Sequence, residues 1–186
     1  MQEHTLIELY VSLSDAQQNT TVEGFLATVN LDEIASHTLH TVGITEPVML
    51  TLLITDDESI QELNLQYREQ NKPTDVLSFP LLEKPLVNAS IELLWEPRGA
   101  EDSGSVTPPD FITPPGMVKN LGDIVMSWPT LARQASEAGH APLYELLYLF
   151  VHGILHLIGY DDHSQAGYEE MIRLQRSILI DYAQKA

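Results

Sequence analysis

"VMLTLLITDDESIQELNLQYRE", residues 48–69, switches from one periodicity to another with no spacer between them. The first eight residues form a nearly continuous apolar, β-rich run, as expected of a buried strand. Asp56 or Asp57 then offers an N-cap and acids occupy the first helical turn. Ile60, Leu63, Leu65 and Tyr67 follow within the helix. The stretch therefore reads as a core strand running directly into a helix.

Working outward, "LIELYVS" (6–12) has the Val, Ile, Leu and Tyr content of a strand. From Val22 to Val42 the apolar residues recur at mostly helical spacing, and Gly43 is a plausible stop. "DVLSFP" (75–80) reads as a short strand closed by proline, and "LGDIVMS" (121–127) as another strand. Helices are expected over 129–138, from Pro142 to about Ile158, and over 165–183. Between Pro80 and Pro115 fall seven of the eleven prolines. Residues 84–117 therefore read as a long, mobile surface insertion and not as a domain boundary. The expectation is one α+β domain over 1–186, a small mixed sheet of about four strands packed with about five helices. No internal repeat is visible.

Composition narrows the class. The chain has 186 residues, 44% of them hydrophobic, which is enough for a core of its own. Without cysteine, neither disulfides nor thiolate ligands are available. The N-terminus lacks the basic start and apolar run of a signal peptide, and no stretch approaches the roughly 18 apolar residues of a membrane span. A soluble, cytoplasmic protein with no membrane partner is expected. The net charge of −18 argues against broad nonspecific binding to nucleic acid, though not against a local basic cleft on an acidic body.

Chemistry concentrates in "HGILHLIGYDDH" (152–163), which holds three of the seven histidines. Residues four apart on a helix point the same way, so His152 and His156 can place two imidazole nitrogens near one point. Gly159 suits the helix C-terminus, after which His163 can return as a third ligand. Three neutral nitrogens leave a tetrahedral zinc one open position for water, whose pKa the metal lowers toward about 7. Asp161 and Asp162 are available as outer carboxylates. His4, His37, His40 and His140 read as surface or satisfied helix residues. The zinc peptidase motif has a Glu general base directly after its first histidine, whereas Gly153 stands there, so a peptidase needs a base from elsewhere.

A second constellation, "YREQNKPTDVLSFP" (67–80), places Arg68 at a helix end and Lys72 in the loop after it, leading through Asp75 into a strand. An always-charged planar donor fork near a metal suits a phosphate and its transition-state charge. Alternatively, Arg68 complements the helix dipole and Lys72 is a solvated surface residue.

Taken together and in this order, "YREQNKPTDVLSFP", "LGDIVMS" and "HGILHLIGYDDH" resemble the YbeY family of bacterial endoribonucleases, also called rRNA maturation factors. The family pattern is H-G-x-L-H-L-x-G-Y-D-H, preceded by Y-R-x-x-x-x-P-T-D-V-L-S-F-P and an L-G-D-I strand. The resemblance spans about residues 48–180 apart from the Pro-rich segment. It implies a small mixed sheet with the metal helix packed on it. It also implies single-strand-specific, metal-dependent cleavage of RNA phosphodiesters, in maturation of the 16S rRNA 3′ end and in ribosome quality control. Single-stranded RNA, the 16S precursor and the ribosome or its small subunit become the expected partners. One Zn2+ per chain is expected at the end of the core helix, held by His152, His156 and His163, with Arg68 as the catalytic arginine and Lys72 as an RNA contact. Asp75, Asp161 and Asp162 are the candidates for a base or outer-sphere role.

This chain departs from the pattern twice. Asp161 and Asp162 both precede His163 where the family form has a single Asp, so either the turn absorbs the extra residue or one of these carboxylates takes part of the ligand role. The Pro-rich segment is also longer than the pattern requires. Two other function classes stay open: a ribosome-assembly binding factor with a structural metal and little catalysis, and a metallohydrolase of a peptide or small phosphoester.

Overall fold

The computed structural model describes residues 5–98 and 118–180. Four strands, β1 (Leu6–Ser12), β2 (Val48–Thr55), β3 (Val76–Pro80) and β4 (Lys119–Ser127), form one mixed sheet in the order β1-β2-β4-β3. β2 is parallel to both neighbours, with Leu52 opposite Leu9 on one side and Ile124 on the other. β3 runs antiparallel at the edge, Leu77 opposite Val125. Parallel strands need helices on both faces, and β2 shows it. Val48, Leu50, Leu52 and Ile54 are fully buried in the main core, while Leu53 packs on the other face against Ile60, Leu77 and Val125.

Among the described residues six α-helices cover this sheet: α1 (Ala16–Leu26), α2 (Leu31–Thr41), α3 (Asp57–Arg68), α4 (Trp128–Ala138), α5 (Pro142–Ile158) and α6 (Gln165–Ile178). Asp56, not Asp57, caps α3, its side chain accepting from the Ser59 amide at 3.1 Å. The run from Val22 to Val42 is two helices and not one. The Asn30 side chain accepts from the Glu33 amide at 3.1 Å and starts α2, while Thr28 turns its hydroxyl back to the Phe25 carbonyl. Both short polar side chains compete for backbone groups, which favours a cap over a continuous helix. α6 is described to Ile178, and the end expected near 183 lies outside the described residues. No single helix among the described residues is long and apolar enough to cross a membrane.

The segment read as a mobile surface insertion is packed over its first part. Leu86 and Val87 donate to the Ile158 carbonyl, Trp95 to that of Gly159, and Asp161 to that of Leu93. A short 3-10 turn, Ile91–Leu93, lies between these contacts, and Val87 is buried. Proline content misled here, because the amides of Leu86, Val87 and Trp95 and the carbonyl of Leu93 find partners at and just after the end of α5. Residues 99–117 lie outside the described residues.

Candidate active site at the end of α5

α5 is the most buried helix, with ten of its seventeen residues in the core. Pro142 sits in its first turn, where a missing N–H costs nothing. Gly153 lets it press on the sheet: a Cβ there would lie 2.8 Å from Ile124 Cδ1 on β4. The helix ends at Gly159, whose φ of +131° a side chain would resist, and a Cβ there would lie 2.6 Å from Pro85.

The i, i+4 spacing does what it predicted. His152 and His156 face the same cleft, with their Nε2 atoms 3.0 Å apart. His156 Nδ1 lies 2.9 Å from the Tyr160 carbonyl, and His152 Nδ1 a longer 3.5 Å from Gln175 Oε1. Assigned from these acceptors, each ring carries its proton on Nδ1 and turns an Nε2 lone pair toward the other. Two lone pairs aimed at one point fit a divalent cation. Asp162 completes the group, its Oδ2 3.8 Å from His152 Nε2 and 3.7 Å from His156 Nε2. These three residues could hold a metal ion. Burial, followed by the neighbouring His156, pushes the His152 imidazole down to about 4, so it stays neutral near pH 7. Asp162 is held down to about 2, chiefly by the His156 imidazole beside it.

His163 is not brought to the pair. Its side chain is 88% exposed and its Nδ1 bonds Asp161 Oδ1. The position facing both imidazoles is taken by Asp162, because the turn after Gly159 points successive side chains in different directions.

The cleft measures about 890 Å³, and Arg68, Asp75, Asp161, Asp162 and His163 all line it. Arg68 is exposed at the end of α3, where Glu69 adopts a left-handed conformation (φ 58°) and turns the chain. Lys72 is exposed and outside this lining. Asp75 is turned to its own backbone, with its Oδ1 accepting from the Val76 amide at 2.8 Å and the Thr74 hydroxyl at 3.1 Å. Val76, Ser78 and Pro80, alternate residues of β3, form part of the wall.

Several cleft residues escaped the sequence reading. Glu145 precedes His152 by seven positions, two helical turns on the same face, and that spacing was a usable signal. Its carboxyl is pushed up by burial, against the lowering effect of His140 at 3.1 Å. Gln175 interrupts an apolar stripe of α6 between Leu174 and Ile178; it is buried, and its amide links His152 to the Tyr148 carbonyl. Trp95, Tyr148 and Tyr168 add aromatic walls, and Arg98 a second guanidinium. The lining therefore sets two arginines against the carboxylates Asp75, Glu96, Glu145, Asp161 and Asp162, and a net basic cleft is not what the fold builds.

The model of the family described as Endoribonuclease YbeY matches residues 12–183. The chain belongs to the YbeY family. An endoribonuclease YbeY of Dehalococcoides mccartyi (strain ATCC BAA-2100 / JCM 16839 / KCTC 5957 / BAV1) is 40% identical over 136 residues, covering 73% of this chain and 75% of that one. One from Moorella thermoacetica is 42% identical over 137 residues, 74% of each chain. One from Roseiflexus sp. (strain RS-1) is 32% identical over 174 residues, 90% of this chain and 94% of its own. Membership in the YbeY family gives the α5 motif and the Arg68 segment a shared context: they line one cleft from opposite sides of the Pro-rich segment in sequence.

Proposed function

We propose that the chain is a zinc-dependent, single-strand-specific endoribonuclease of the cytoplasm, acting in maturation of the 16S rRNA 3′ end and in ribosome quality control. The observation that carries this reading is the pair of Nε2 lone pairs 3.0 Å apart, with Asp162 beside them, in a cleft that Arg68 also lines. The relatives' printed name, endoribonuclease, supplies the substrate class.

Zinc held there by His152, His156 and Asp162 would supply Lewis-acid chemistry for hydrolysis of the phosphodiester. Arg68 presents its planar donor fork to the phosphate and offsets the charge that develops on it. Gln175 and the Tyr160 carbonyl hold the two imidazoles in the tautomer that offers Nε2. The aromatic walls Trp95, Tyr148 and Tyr168 suit bases that are free to leave a stack, which single strands provide and duplexes do not. Five carboxylates disfavour any polyanion that does not engage the cation and Arg68 together, so the small ribosomal subunit and its unpaired 3′ extension are the expected partners.

The test uses 16S precursor RNA with its 3′ extension unpaired or annealed to a complement. Zinc-loaded wild type is expected to cut only the unpaired form. His156→Ala is expected to be inactive, and Arg68→Ala slower by on the order of 10²–10³-fold. Equal cleavage by wild type and Arg68→Ala, with both folded, would sink the arginine assignment. The acidic lining favours one rival, a ribosome-assembly factor with a structural metal. That reading predicts ribosome binding with no cleavage by any variant.

A further inference from the structure

We propose that the third protein ligand of the metal in this chain is Asp162, with His163 outside the coordination sphere. The inference rests on the metal-site reading above and refines it.

Geometry is the first support. Donor atoms about 2.0–2.2 Å from a tetrahedral ion stand roughly 3.3–3.6 Å from one another. The observed separations among His152 Nε2, His156 Nε2 and Asp162 Oδ2 are 3.0, 3.7 and 3.8 Å, which bracket that value. His163 belongs to no group that includes the two helical imidazoles, and its ring nitrogen is turned to Asp161.

The turn itself is the second support, because it is pinned on both sides of Asp162. The Asp161 amide donates to the Leu93 carbonyl at 2.9 Å, and the Ser164 hydroxyl to the Glu92 carbonyl at 2.7 Å. Gly167, in the first turn of α6, approaches the turn so closely that a Cβ there would lie 2.0 Å from the Asp161 carbonyl oxygen. Bringing His163 inward means slipping the chain by one residue between two fixed points and breaking the bonds to the 3-10 turn.

The consequence is a harder donor set that carries one more negative charge than three imidazoles. Two histidines and one carboxylate still suit zinc, and they also suit other divalent transition metals.

The test is Co2+ titration of the full chain, followed by visible absorption, which reads coordination without any turnover. Asp162→Asn, of nearly the same shape, is expected to weaken Co2+ by more than the roughly 10–100-fold that loss of an outer-sphere partner costs. His163→Ala is expected to stay below the 10-fold end of that range. Asp162→His is expected to regain tight binding with shifted absorption bands, because an imidazole then replaces the carboxylate. Far-ultraviolet circular dichroism confirms that each variant is folded. Loss of binding in His163→Ala, alone or together with Asp162→Asn, overturns the inference and leaves the metal site standing. If the wild type takes up no more Co2+ than His152→Ala, the metal site fails and the inference fails with it.

Discussion

Trp95 donates its indole Nε1–H to the carbonyl of His156 at 2.9 Å, across 61 positions of sequence. The bond ties the packed part of the Pro-rich segment to the last turn of α5, at the residue whose imidazole faces the cleft. Trp95→Phe keeps an aromatic ring but removes the donor together with part of the ring's volume. It is expected to cost about 1 kcal/mol, read as a lower urea midpoint with an unchanged slope.

Gln175 is buried, and its side chain spans from His152 Nδ1 to the Tyr148 carbonyl. Gln175→Leu fills a similar volume and frees the His152 ring to rotate and change tautomer. Metal affinity is expected to fall about 10–100-fold while the unfolding temperature of the metal-free protein changes little. Competition with a colorimetric chelator measures the first quantity and a thermal scan the second.

Gly153 is fixed by its neighbour. A methyl group there would meet Ile124 at 2.8–3.0 Å, on three of that side chain's carbons. Gly153→Ala is therefore expected to destabilise by about 1–3 kcal/mol in spite of alanine's better helix propensity. Made in an Ile124→Ala background, the same change is expected to cost much less or to stabilise. A double-mutant cycle in urea reads that coupling, and simple additivity would count against the contact.

Acid is expected to weaken the metal-free protein in a defined window. The His152 imidazole titrates near 6.5 when unfolded and near 4 when folded. Between those values the unfolded chain binds a proton that the folded one does not. Stability is thus highest above pH 6.5 and declines as pH falls toward 4. Asp162, lowered from 3.8 to about 2, loses its contribution as pH falls from 3.8 toward 2 and adds to the decline there. Thermal unfolding of chelator-treated protein from pH 7.5 to 4.5 measures the first part. His152→Asn is expected to flatten it.

Much of this is legible in the sequence, and the exceptions share a cause. The apolar run of β2 and the four-residue spacing of His152 and His156 are local signals, and both elements form as read. Asn30 was missed because apolar periodicity continues on either side of it, while the break is set by one side chain's bond to the Glu33 amide. The side chains of Asp162 and His163 follow no period, since helical order stops at Gly159. Which of them faces the imidazoles depends on bonds to Leu93 and Glu92, some seventy residues earlier. The same bonds turned a Pro-rich stretch that reads as loose chain into packed structure. Gln175 was visible only as a polar residue out of place on a buried stripe.

The strand order β1-β2-β4-β3 has a consequence for the birth of the protein. β3 has no partner until β4 is made and inserts beside it, and the cleft needs residues from Arg68 to Gln175. During synthesis the arginine wall emerges long before the helix that faces it, and the clasp of α6 on His152 comes last. Such distant closures are slow steps that reward the chain only when the far segment arrives. The cleft, walled by residues from Arg68 to Gln175, is therefore complete only once α6 has been made and packed against α5.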